Sequence, residues 1–114
     1  MLDLKGKVAL VMGCGAVADG WGNGRATAVL LARQGAKVFG TDLVLANAEA
    51  TRALVVAEGG EAEVQACDAT QSAQVEQAVA ACIQRFGRID ILVNNVGVSQ
   101  PGGPVDMDLS LIHI

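Results

Sequence analysis

Residues 8–12 form an unbroken apolar run, and a turn studded with glycine follows at once: Gly13-Cys14-Gly15-Ala16-Val17-Ala18-Asp19-Gly20-Trp21-Gly22-Asn23-Gly24. Beyond it Ala28, Val29, Leu31 and Ala32 fall on neighbouring turns of a helix, which Gly35 is well placed to end. A strand, a glycine turn and a helix in this order constrain the chain more than any other feature. Glycines let backbone approach phosphates closely, and the unpaired N–H groups of a first helical turn point at negative charge. The order of parts therefore suits the pyrophosphate of a dinucleotide.

Several glycine registers overlap within the turn. Gly13-Cys14-Gly15-Ala16-Val17-Ala18 fits the general dinucleotide fingerprint with Ala in the last place. A helix starting near Ala16 would then hold Gly20, Gly22 and Gly24 in its interior, each costing about 1 kcal/mol relative to Ala. The helix is therefore expected to start at residues 22–24, with 14–21 as an extended loop.

Three rounds of strand and helix can be traced, followed by a fourth strand. Residues 7–12 are the first strand, 37–41 the second and 63–66 the third, with 89–94 as the fourth. A second helix is expected over about residues 46–58, stopping at Gly59-Gly60. Thr70 or Ser72 can cap a third helix, whose positions Val75, Ala78, Val79, Cys82 and Phe86 form one apolar stripe ended by Gly87. Short links between alternating strands and helices predict an α/β fold, a parallel sheet with helices on both faces.

Two acids close strands at the same end of this sheet. Asp42, with Leu43 beside it, stands eighteen residues past Gly24, where a carboxylate accepts hydrogen bonds from the hydroxyls of an adenosine ribose. It also repels a 2′-phosphate: like charges about 4 Å apart are worth roughly 4 kcal/mol at an effective dielectric near 20. The stretch Leu43-Val44-Leu45 offers no Arg to offset this, so NAD is expected over NADP. Asp68, followed by Ala69, can take the exocyclic amine of adenine or serve as a helix N-cap, and the two roles are compatible.

Other classes are set aside by composition. A net charge of −4 without a Lys/Arg cluster argues against nucleic acid, and the apolar runs are too short to cross a bilayer. Cys14, Cys67 and Cys82 are odd in number and widely spaced, so neither a disulfide framework nor a metal site is expected. They read as reduced, buried thiols of a cytoplasmic protein, since residues 1–7 carry no leader pattern and run straight into a strand.

Ile91-Leu92-Val93-Asn94-Asn95-Val96-Gly97 resembles the strand end Asn-Asn-Ala-Gly of the short-chain dehydrogenase/reductase family. That family also carries a Thr-Gly-x-x-x-Gly-x-Gly loop, whose glycine places Gly13, Gly22 and Gly24 would fill here, with Arg25-Ala26-Thr27-Ala28 continuing the helix. The resemblance spans roughly residues 4–105. It implies a Rossmann-type, doubly wound sheet, incomplete at about four strands and three helices, with strand order 3-2-1-4. The implied cofactor site comprises Gly13, Gly15, Gly22, Asn23, Gly24, Asp42, Leu43, Asp68, Ala69, Asn94, Asn95, Val96 and Gly97. Three departures stand out: Met12 replaces the Thr, Val96 replaces the Ala, and the loop is longer. Trp21 within that loop is equally consistent with covering the phosphates, reaching the substrate side, or anchoring the loop.

The same resemblance implies hydride exchange with a small alcohol or carbonyl substrate, by a full-length protein that is a homo-oligomer. Family chemistry needs a Ser and a Tyr-x-x-x-Lys pair. This chain has no Tyr, its lysines are Lys5, Lys7 and Lys37, and Ser99 lacks a base partner. No catalytic residue is assigned, and no turnover is expected from these 114 residues. Two alternatives remain at this point: an S-adenosylmethionine-dependent methyltransferase core, and a non-catalytic nucleotide-binding module. Residues 1–108 are read as the NAD-binding half-domain. Leu109-Ser110-Leu111-Ile112-His113-Ile114 resembles the translated end of a sequencing adapter, or alternatively the start of a fifth strand. The first of these leaves the fourth strand as an open apolar edge and predicts a marginally stable product.

Overall fold

The computed structural model describes residues 3–15 and 23–95, together with the backbone of 112–113. Strands β1 (Val8–Met12), β2 (Lys37–Asp42), β3 (Ala62–Ala66), β4 (Ile91–Asn94) and β5 (Ile112–His113) form one sheet. Its order is β3-β2-β1-β4-β5, and every pairing is parallel. Helices α1 (Asn23–Arg33), α2 (Leu45–Ala57) and α3 (Ser72–Phe86) make the crossovers.

Every residue of β1 is buried, as a strand covered on both faces requires. Its side chains alternate between two cores. Ala9 and Val11 join Ala28, Val29 and Leu31 of α1 and Ala48 and Val55 of α2. Val8, Leu10 and Met12 join Phe39 and the stripe Val75, Ala78 and Cys82 of α3, with Val79 and Phe86 packed at its margin. The helical period of α3 is thus the period of its buried face.

β4 is locked to β1 by Asp90, whose N–H donates to the Val8 carbonyl while its Oδ2 accepts the Val8 N–H. Burial pushes the Asp90 carboxyl up. The Arg88 fork, the Val8 N–H and the charges of Arg88 and Lys7 together outweigh it and hold the group below the usual carboxylate range.

Two expectations are corrected. The third helix is not capped by Thr70 or Ser72: Gln71 holds the cap position and makes no side-chain cap hydrogen bond. The Thr70 N–H and hydroxyl both donate to Asp68 Oδ1, at 2.9 and 2.6 Å, a charge-assisted pair that holds Thr70 in the turn before the helix. A short fifth strand joins the four expected ones, so β4 is not the open edge that was expected: Ile91 and Leu92 pair with Ile112 and His113. The exposed N–H and C=O groups of an apolar edge are met by a short β-competent segment of the same chain.

Candidate functional site

β1, β2, β3 and β4 end together at one edge of the sheet. Met12 lies in register with Thr41 on one side and Asn94 on the other, and Asp42 with Ala66. Gly13 turns the chain back here, with φ at +79°, a left-handed value that favours glycine. Its N–H and that of Cys14 both donate to the Thr41 carbonyl at 2.8 Å. The start of the glycine turn is therefore pinned to β2.

Close approach explains two further glycines. A Cβ on Gly24, in the first turn of α1, would collide with the Gly13 carbonyl and lie 3.1 Å from Asn95 Nδ2. The Asn95 N–H in turn donates to the Met12 carbonyl at 2.9 Å. The helix start thus sits directly on the ends of β1 and β4, three regions distant in sequence. A Cβ on Gly15 would fall 2.6 Å from Asn47 Cβ and 3.1 Å from the Asp42 carboxyl carbon. The space beside that carboxylate exists because residue 15 has no side chain.

Asp42 is half-buried and accepts the Val44 N–H on Oδ2 at 3.1 Å, an Asx-type turn that fixes the carboxylate. Leu43 next to it is 70% exposed. The Asp42 carbonyl accepts the Cys67 N–H, which brings the end of β3 alongside. Asp68 does not take the N-cap role that was one of its two expectations. Its Oδ1 is held within its own turn by the hydroxyl and N–H of Thr70, which keep its carboxyl below the usual range. Gln74, in the first turn of α3, accepts the Asp68 N–H at 2.8 Å. Ala69 packs against the core on the α3 side.

The structure thus brings Gly13, Gly15, Gly24, Asp42 and Asn95 to one edge, with Asn94 ending β4 and Asn23 opening α1. Gly22, Val96, Gly97, Trp21 and Ser99 lie outside the described residues. Three residues at this edge escaped the sequence reading. Arg25 Nε donates to Thr51 Oγ1 at 2.9 Å, its Nη2 donates to the Asn47 carbonyl, and Thr51 Oγ1 donates to the Cys14 carbonyl at 2.8 Å. The available signal was Thr51 itself, a polar residue between Ala48 and Val55 on the buried stripe of α2.

All three cysteines are free and buried. Cys14 is pushed up to about 12 by burial and then by the Asp42 charge, against its own backbone N–H and the Arg25 charge. Burial alone pushes Cys82 up to about 12, and burial followed by the Asp68 charge raises Cys67. Such thiols stay protonated and unreactive at neutral pH. Among the described residues no group of His, Cys, Asp or Glu could hold a metal, and no helix is long and apolar enough to cross a membrane.

Comparison with known proteins matches residues 7–112 to the family described as short chain dehydrogenase. The chain belongs to the short-chain dehydrogenase/reductase family. Relatives include 2,5-dichloro-2,5-cyclohexadiene-1,4-diol dehydrogenase of Sphingobium indicum, 40% identical over 92% of this chain and 39% of that protein. D-threitol dehydrogenase of Mycolicibacterium smegmatis is 42% identical over 85% of this chain and 35% of that protein. Among solved structures, a Burkholderia xenovorans protein assigned to the short-chain dehydrogenase/reductases is 54% identical with a TM-score of 0.79, covering 94% of this chain and 42% of its own. A metagenomic short-chain oxidoreductase solved in complex with NADP is 38% identical with a TM-score of 0.76, covering 90% and 44%. This short-chain dehydrogenase/reductase chain therefore spans about two fifths of the length of the proteins it matches. The family assignment gives no support to the methyltransferase core or the non-catalytic module.

Proposed function

We propose that this chain is the NAD-binding half of an oxidoreductase that exchanges hydride with a small alcohol or carbonyl compound. The observation that carries the reading is the pair of close approaches at Gly24 and Gly15, where a methyl group would fill the space between the loop, the helix start and Asp42. Gly15, Gly22, Asn23 and Gly24 would hold the diphosphate through backbone N–H groups, and Gly13, whose own N–H is taken by the Thr41 carbonyl, would make the turn that brings them there. Asp42 would accept the ribose hydroxyls, with Leu43 flanking the adenosine, and Asp68 and Ala69 would border the adenine. Asn94, Asn95, Val96 and Gly97 would close the opposite side. When bound, the nicotinamide supplies or takes up the hydride.

Asp42 underlies the preference for NAD, because its charge opposes a 2′-phosphate. With no Tyr among the 114 residues, a Tyr-x-x-x-Lys proton relay is absent, so the chain as it stands binds cofactor without turnover. The full-length protein is proposed to be a cytoplasmic homo-oligomer. Residues 109–114 are proposed to be a foreign tail, whatever short pairing they make.

Calorimetry with NADH, NADPH and S-adenosylmethionine on the 114-residue chain tests this reading. The expected result is NADH bound at least about tenfold more tightly than NADPH, roughly 1.4 kcal/mol, and no heat from the methyl donor. Preference for S-adenosylmethionine, or tighter NADPH, would contradict it.

A further inference from the structure

Among the described residues only two buried side chains are polar, Thr41 and Thr51. Thr51 is 2% exposed and lies on the inward face of α2, where stability alone favours an aliphatic side chain. A helical threonine usually satisfies its hydroxyl on the carbonyl four residues back. Here that carbonyl, of Asn47, lies 3.3 Å from Oγ1 and is also taken by Arg25, whereas the Cys14 carbonyl lies at 2.8 Å. The hydroxyl is therefore spent on the glycine turn, and the Arg25 Nε–H behind it strengthens the bond through charge.

This arrangement has a directional consequence. Peptide groups are planar and trans, and no cis bond occurs in the described backbone. With the Cys14 carbonyl aimed at Thr51, the Gly15 N–H of the same peptide must point away from α2. It has no acceptor among the described residues. The N–H groups of Gly13 and Cys14, by contrast, are both consumed by Thr41. Gly15 thus carries the first donor of the turn that is left for a ligand, and the hydroxyl of Thr51 sets its direction.

Resting on the dinucleotide reading above, we propose that Thr51, held by Arg25, is a positioning residue that orients the Cys14–Gly15 peptide to donate to the cofactor's diphosphate. It touches no ligand itself. Its contribution falls on the diphosphate and spares the adenosine, which Asp42 handles.

The test compares the 114-residue wild type with Thr51→Val, Thr51→Ser and Arg25→Lys. NADH, ADP and adenosine are the binding probes, and backbone amide exchange is followed without nucleotide. Valine keeps the volume and removes the hydroxyl. It is expected to weaken NADH and ADP about tenfold, to leave adenosine within about twofold, and to speed exchange at Gly13 and Cys14, whose N–H groups are bonded to Thr41, but not at Leu10 or Gly40. Serine restores all three readouts. Equal weakening of ADP and adenosine, or unchanged exchange at the turn, would overturn the proposal. Should the valine variant fail to fold, Arg25→Lys retains charge without the two-pronged grip and must still weaken ADP more than adenosine. A wild type that binds neither NADH nor ADP refutes the underlying reading too, and that failure is distinguishable because it precedes any substitution.

Discussion

The two faces of the sheet are built to different rules. On the α3 face, Val8, Leu10, Met12, Phe39, Val75, Ala78, Cys82 and Leu92 make an apolar contact, and the buried polar side chain beside it among the described residues is Thr41, two residues from Phe39 and in register with Met12. On the α1/α2 face the residues are smaller, and backbone approaches backbone: Gly24 sits on Gly13, and a Cβ on Gly40 would lie 2.6 Å from Cys14 Sγ. A buried hydroxyl and a guanidinium run through this second face to reach the glycine turn. One face is packing, whereas the other is packing bent around a turn that must present N–H groups. The difference teaches where substitutions should affect stability alone and where they should affect ligand binding as well.

Substitutions on either side can break that distinction. Gly24→Ala should act most strongly, because its methyl group meets a backbone carbonyl that cannot rotate away. A loss of more than about 3 kcal/mol of stability is expected, with NADH binding abolished, and thermal melting with and without NADH measures both. Val75→Ala, on the α3 face, should cost about 2 kcal/mol while the surviving folded protein binds NADH as before. A changed affinity there would erase the contrast between faces. Asp42→Asn should leave the melt nearly unmoved and narrow the NADH-to-NADPH ratio about tenfold, read by competition calorimetry.

The smallest effect belongs to pH. The Asp90 carboxyl is held below its ordinary value, so it binds fewer protons folded than unfolded. Its contribution is complete above the ordinary carboxylate range and fades as pH falls through the lowered folded value. Asp90→Asn should remove less than about 1 kcal/mol at neutral pH and flatten the acid limb of the stability curve. A variant that loses stability equally at pH 3 and pH 7 would contradict this assignment.

Much of the layout was legible because it is written in local periodicity. The all-apolar run 8–12, the stripe Val75–Ala78–Cys82 and the stops at Gly35 and Gly87 each report their own element, and the helix after the turn starts at Asn23, within the expected 22–24. The cap and the edge were not legible, since the first turns on which of several adjacent polar residues the backbone places at the helix start and the second on a pairing between segments far apart in sequence. Thr70 has the right chemistry for a cap, but the helix starts one residue further on, after Gln71, and Thr70 is held in the preceding turn by Asp68. The pairing of β4 with Ile112 and His113 joins segments that no local pattern connects. Likewise Asp42 and Gly15 could be named from spacing, whereas the route from Arg25 through Thr51 to Cys14 crosses α1, α2 and the turn. Only the three-dimensional arrangement shows it.

The central claim is that the edge formed by Gly13, Gly15, Gly24 and Asp42 holds a dinucleotide. Adding NADH to isotopically labelled chain while following backbone amide resonances tests it most directly. Large shifts at Gly15, Gly24 and Asp42, with Val75, Ala78 and Cys82 unmoved, are the result this account predicts. Shifts centred on α3 or on the outer strand β3, or none at saturating NADH, would contradict it.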